Sequence, residues 1–140
     1  MARRSLRGTQ SLGAFVTLPA PAVVEHLGRM DFDGLCIDAE HAPLDLHDLD
    51  ALVRAGDVVG KPVFVRIGEL GADVARVLDL GAAGVVVPRV ETVEQATEAV
   101  RRARYAPEGD RGAGPGRASG YGVNFQQYLR EANDYAHVLV

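Results

Sequence analysis

The chain has 140 residues, 19 acidic and 15 basic side chains, a formal net charge of −4 and 47% hydrophobic content. This is globular composition and excludes a disordered or fibrous chain. A net negative charge without a basic cluster excludes sequence-independent nucleic-acid binding, and no apolar run approaches the roughly 20 residues of a bilayer span.

Cys36 is the single cysteine, so no internal disulfide forms, and no Cys/His spacing suggests a zinc site. Lys61 is the only lysine; it precedes Pro62 at the start of an expected strand, away from where α/β sites form, which argues against Schiff-base chemistry. Residues 1–10 carry Arg3, Arg4 and Arg7 but no apolar segment. They read as a frayed tail ahead of one domain over 11–140, not as a secretory signal. Without a signal or disulfide potential, the expected location is cytoplasmic.

In chain order, Gly13–Leu18 reads as a strand, and Pro21–Arg29 as a helix with proline suited to its first turn. Gly34–Asp38 is a second apolar run. Asp45–Ala55 places Leu46, Leu49, Leu52 and Val53 at helical spacing, with Gly56 as its stop. Pro62–Ile67 is a third strand, and Ala72–Leu80 a helix ending at Gly81. Gly84–Pro88 is a fourth strand, β-branched throughout its centre. Thr92–Arg102 is a helix with a threonine N-cap. A glycine-rich connection, Tyr105–Gly122, leads to a helical stretch over Phe125–Ala132 and a fifth apolar run at His137–Val140. Continuous apolar strands alternating with helices predict an α/β fold with a parallel sheet, doubly wound or barrel. No GxGxxG follows the first strand and there is no P-loop. A (β/α)8 barrel takes about 250 residues, so these units amount to about half of one.

Ligands of parallel α/β folds sit at the carboxyl ends of the strands. There the sequence places Asp38, Glu40 and His41 after the second run, Arg66 after the third and Arg89 after the fourth. A histidine beside carboxylates moves protons. Asp38 and Glu40 either hold water on a divalent cation or accept hydrogen bonds from loop amides. Arg66 is either a structural ion-pair partner or a fork for a substrate carboxylate that also stabilises an enolate. The segment Gly109–Gly116 offers amides to an anion or serves as a connector.

The stretch FDGLCIDAEHAPLDL (Phe32–Leu46) resembles the HpcH/HpaI aldolases, pyruvate-type class II enzymes. The resemblance continues through VFVRI (Val63–Ile67), LDLGAAGVVVPRVETVEQA (Leu78–Ala96) and RYAPEGDRG (Arg104–Gly112), and spans residues 11 to 140. It implies the N-terminal part of a (β/α)8 barrel, ending at strand five. The implied reaction makes or cleaves a carbon–carbon bond next to pyruvate in 2-keto-3-deoxy or 4-hydroxy-2-keto acids. The implied partners are a keto acid and an aldehyde, in a homo-oligomer, with Mg²⁺, Mn²⁺ or Co²⁺ as cofactor. His41 matches the acid/base histidine, Arg66 the pyruvate-binding arginine, and Asp79 the aspartate paired with the histidine. Asp38 and Glu40 match carboxylates near metal-bound water. The family's direct metal ligands follow the segment matching His137–Val140, so the resemblance implies none within this chain. Phe15 stands where the family usually has tryptophan. Asp79 closes the third helix, at the end of the unit opposite His41, so its expected service is to a neighbouring subunit. Two alternatives remain: an inactive fragment or pseudoenzyme acting by association, and a related citryl/malyl-type lyase or decarboxylase.

Overall fold

The computed structural model describes residues 10–140; apart from Gln10, the expected tail lies outside the described residues. Five strands, β1 (Gly13–Val16), β2 (Gly34–Asp38), β3 (Val63–Arg66), β4 (Gly84–Val86) and β5 (His137–Leu139), lie in sequence order in one sheet. Every neighbouring pair is parallel. The four connections between them carry, in order, α1 (Pro21–Gly28), α2 (Leu46–Val58), α3 (Asp73–Asp79) and α4 (Val93–Ala103). The last connection also holds a 3₁₀ segment at Arg117–Gly122 and α5 (Phe125–Tyr135).

The register gives the two faces of the sheet different chemistry, because alternate residues of a strand point to opposite sides. Val16, Leu35, Ile37, Val63, Val65 and Val85 share one buried cluster with Val24 of α1, Leu52 of α2, Val77 of α3 and Ala99 of α4. The intervening positions form a second row, in which Phe15 pairs with Cys36, Cys36 with Phe64, Phe64 with Gly84 and Gly84 with His137. This row is less covered: Phe15 remains 58% exposed. Two residues further toward the carboxyl ends, on the same face, Asp38 pairs with Arg66, Arg66 with Val86 and Val86 with Leu139.

Local signals set the helix ends. Thr92 Oγ1 accepts from the Gln95 amide while the Gln95 side chain accepts from the Thr92 amide, a reciprocal capping box. Asp45 and Asp48 form the same device at α2. After α3, Gly81 takes a left-handed φ of +96°, its amide bonds to the Leu78 carbonyl, and the Ala82 amide bonds to the Val77 carbonyl. That is a glycine-terminated Schellman closure, as the sequence leads one to expect.

Gly56 corrects the expected end of α2. The helix continues through it to Val58. A Cβ on Gly56 would collide with Val63 Cγ2 and lie 3.3 Å from the Lys61 carbonyl oxygen. Glycine is there for close helix-to-strand packing, not termination. Gly84 has a similar role within the sheet, since an added Cβ would lie 2.8 Å from His137 Cβ and collide with its carbonyl oxygen. We therefore expect Gly84→Ala to cost about 1–3 kcal/mol through overpacking, read as a lower urea midpoint. An unchanged midpoint would contradict this packing of β5 on β4.

Candidate active site at the strand ends

The carboxyl end of β2 is shaped by Asp38. Its Oδ1 accepts from the amides of Glu40 at 3.1 Å and His41 at 3.2 Å, a turn closed by an aspartate side chain. The Ala39 amide bonds to the Arg66 carbonyl at 2.8 Å, continuing the β2–β3 ladder into the turn. On the adjoining strand, Arg66 presents its side edge to the same carboxylate. Nε donates to Asp38 Oδ1 at 2.9 Å and Nη2 to Oδ2 at 2.7 Å. The Arg66 guanidinium also lies 4.9 Å from the Phe15 ring centroid. A carboxylate and an aromatic face thus fix this cation in position.

Glu40 joins the remaining charged groups. Its Oε2 is 3.5 Å from Arg66 Nε and 3.7 Å from His41 Nε2, and its Oε1 is 3.8 Å from Arg89 Nη2. The His41 side chain is 70% exposed while that of Glu40 is 11% exposed, so the histidine faces solvent over a covered carboxylate. Arg89 also donates to the Gly68 carbonyl and adopts φ +57°. A left-handed conformation costs a residue bearing a Cβ roughly 1–2 kcal/mol. The sequence places Arg89 at the rim but does not announce this backbone.

The structure brings together Asp38, Glu40, His41 and Arg66, with Arg89 beside them. It does not bring Asp79 to them. Asp79 is the last residue of α3 and precedes the start of β4, so it lies toward the amino ends of the strands. There its Oδ1 accepts from Arg111 Nη2 at 2.6 Å. The Arg111 side chain is almost fully buried, stacks 4.6 Å from the Tyr105 ring centroid and has Nη2 3.4 Å from the Tyr128 hydroxyl. The sequence treats Arg111 as part of a glycine-rich connection; its burial and its pairing with Asp79 depend on a contact 32 residues away. Lys61 Nζ donates to the Phe32 carbonyl ahead of β3, remote from the rim. Burial pushes the Cys36 thiol up to about 11, so it is a poor nucleophile near neutral pH.

The fit to a divalent ion is poor within this chain. Both Asp38 oxygens bond to Arg66, and one also takes two amides. Both Glu40 oxygens face cationic or ionisable nitrogens. Among the described residues, no cluster of three or more His, Cys, Asp or Glu side chains is arranged to hold a metal ion.

Serial parallel β/α units with polar groups at the strand carboxyl ends define part of a (β/α)8 barrel, a fold whose ligand sites sit at that rim. The sequence pattern of the HpcH/HpaI aldolase/citrate lyase family matches residues 11–140, and the chain belongs to that family. It is 41% identical over 125 residues to a hydroxypyruvate/pyruvate aldolase of Roseobacter denitrificans, covering 86% of this chain and 48% of the relative. It is 39% identical over 128 residues to a 4-hydroxy-2-oxovalerate aldolase of Novosphingobium aromaticivorans, covering 90% and 48%. A solved family structure from Burkholderia cenocepacia superposes with a TM-score of 0.84 at 35% identity, covering 91% of this chain and 52% of that one. The chain thus spans about half the length of the curated relatives it matches. Among the described residues, no helix is long and apolar enough to cross a membrane.

The Asp38 carboxyl is held below the usual carboxylate range, chiefly by the Arg66 hydrogen bonds and further by the His41 and Glu40 amides, which outweigh the opposing effect of burial. A carboxyl depressed below its unfolded value of about 3.9 stabilises the fold above that value and loses the contribution as pH falls through the folded pKa. Asp38→Asn should therefore lower the urea midpoint most near neutral pH, and the gap from wild type should close below about pH 4. A gap that persists unchanged into strong acid would contradict a stabilising, ionised pair.

Proposed function

We propose that the strand-end rim is the enolate-forming part of a carbon–carbon lyase acting next to the pyruvate unit of 2-keto acids. The observation that carries this reading is the Arg66 guanidinium held side-on by Asp38, one strand from the His41 imidazole. A fixed guanidinium suits a keto acid twice over: it binds the carboxylate, and it stabilises charge that develops on the adjacent carbonyl oxygen.

In the cleavage direction, neutral His41 accepts the proton of the substrate C4 hydroxyl. The C3–C4 bond breaks, C4 leaves as the aldehyde carbonyl, and the electron pair passes through C3 to the C2 carbonyl oxygen as an enolate beside Arg66. Protonation of C3 by the histidinium then releases pyruvate and restores the starting state. Glu40 Oε2 lies 3.7 Å from His41 Nε2, beside the proton-carrying imidazole. Asp38 acts through Arg66 and through the turn that carries His41, so it is a positioning residue.

The relatives named as hydroxypyruvate/pyruvate and 4-hydroxy-2-oxovalerate aldolases support this substrate class. The divalent ion implied by the family likeness has no direct ligand set among the described residues, and the steps above use only this chain's own groups. Asp79, at the opposite end of the sheet, is assigned to the site of a neighbouring subunit in a homo-oligomer. The Asp79–Arg111 pair would then lie in that interface.

Deuterium incorporation into the pyruvate methyl group tests the reading, with the protein in D₂O and with or without Mg²⁺ or Mn²⁺. Exchange above buffer should fall about a hundredfold or more in His41→Ala and should also fall in Arg66→Lys, which keeps charge but loses the fork. Exchange at the buffer rate, or exchange indifferent to His41, would overturn the proposal and favour a chain that acts only by association.

A further inference from the structure

Asp79 and Arg111 form an ion pair whose cation lies inside and whose carboxylate opens to solvent. The Arg111 side chain is 2% exposed and that of Asp79 is 41% exposed. Asp79 Oδ1 accepts from Arg111 Nη2 at 2.6 Å, and no hydrogen bond among the described residues engages Oδ2. One carboxylate oxygen is thus fixed from within, and the other is left for an outside donor.

Stability alone does not call for this pair. Arg111 Nε is buried without a hydrogen-bond partner among the described residues, and such an atom carries a desolvation cost. Asp79 is the last residue of α3, where the helix dipole disfavours a negative charge. The helix end needs neither group. Arg117 Nη1 donates to the Leu80 carbonyl at 2.7 Å, and the Gly81 closure serves the carbonyls of Val77 and Leu78. Features that cost stability and meet no local need point to a functional constraint.

The guanidinium is itself firmly held. It lies 4.6 Å from the Tyr105 ring centroid, and Nη2 is 3.4 Å from the Tyr128 hydroxyl. Asn133 grips the Tyr105 backbone in turn, bonding to its amide at 2.8 Å and its carbonyl at 3.0 Å. Gly116 lies against Asp79, and an added Cβ there would be 3.7 Å from the Asp79 Cβ. Glycine at this position leaves that side of Asp79 uncovered.

We propose that Arg111 is a positioning residue: from inside its own subunit it aims the Asp79 carboxylate at the partner subunit's His41. This rests on the lyase reading and on the assignment of Asp79 given above. The His41 side chain is 70% exposed within its own chain, so a carboxylate from outside can reach it. The free Asp79 oxygen accepts an imidazole N–H, which fixes the orientation of the ring and the nitrogen that takes the proton.

Deuterium exchange into the pyruvate methyl group, with Mg²⁺ or Mn²⁺ present, tests this in Asp79→Asn, Arg111→Met and Arg111→Lys, and in mixed oligomers purified through two different tags. The exchange kcat should fall about tenfold to a hundredfold in Asp79→Asn and Arg111→Met, and Arg111→Lys should recover part of it. The pyruvate KM should hold, because Arg66 is untouched. Oligomers that mix His41→Ala with Arg111→Met chains should exchange faster than either parent. There the intact His41 of one chain meets an Asp79 held by Arg111 in the other, and the gain also shows that the Arg111→Met chain folds. Mixing Asp79→Asn with Arg111→Met should bring no gain, since every site then lacks a correctly aimed Asp79. Arg111→Gln, which keeps a polar group in the buried position, replaces the methionine variant if that chain fails to assemble. Wild-type exchange in Arg111→Met or Asp79→Asn, no gain in the first mixture, or a gain in the second overturns this proposal while the lyase reading stands. Failure of wild-type chains to associate overturns it likewise. Absence of exchange in the wild-type protein overturns both.

Discussion

The pairing of Asp38 with Arg66 is the interaction on which the rim depends. It joins two neighbouring strands at one register position and closes the turn that carries Glu40 and His41. It also orients a cation that would otherwise rotate in solvent. Because the aspartate is buried and the arginine only partly so, removing one partner would leave the other without compensation. The value of the pair thus lies less in net stability than in geometry. A side-on carboxylate fixes the guanidinium plane, while Phe15 covers one face of it.

Another arginine, this one buried, organises the opposite end of the sheet. Arg111 is held by Asp79, by the Tyr105 ring and by the Tyr128 hydroxyl. Burial and the hydrogen bond with Tyr128 raise the Tyr105 phenol above its usual range, so Tyr105 stays a neutral phenol beside one cation and one carboxylate. Asn133 bonds to both the amide and the carbonyl of Tyr105, which fastens α5 to the segment that follows α4. The two ends therefore use one device, an arginine clamped by a carboxylate and an aromatic ring. At the rim the clamp leaves the cation partly open, whereas at the base it is closed.

Much of this architecture is legible in the sequence because its cause is local. β-branched apolar runs specify buried parallel strands, and Thr92 and Gly81 mark helix ends through their own hydrogen bonds and φ angles. The convergence of Asp38, Glu40, His41 and Arg66 follows once the strands are known to be parallel, since their carboxyl ends then share one side. Non-local features are less legible. Gly56 resembles a helix stop because the contact that requires it, with Val63, lies across a turn. Asp38 reads equally well as a water-holding carboxylate until the register places Arg66 against both its oxygens. The burial of Arg111 needs the fold of the whole last connection, and the left-handed backbone of Arg89 leaves no mark in residue type.

Side-chain NMR of the arginine Nε and Nη groups tests most directly whether Asp38 immobilises the Arg66 guanidinium. Rotation about the Arg66 Nε–Cζ bond is expected to be slow, with separate Nη resonances that coalesce on Asp38→Asn. The exposed Arg76, whose contact to Asp73 is longer at 3.3 Å, should already be averaged at the same temperature. Fast averaging of Arg66 in the wild-type protein, matching Arg76, would contradict the claim.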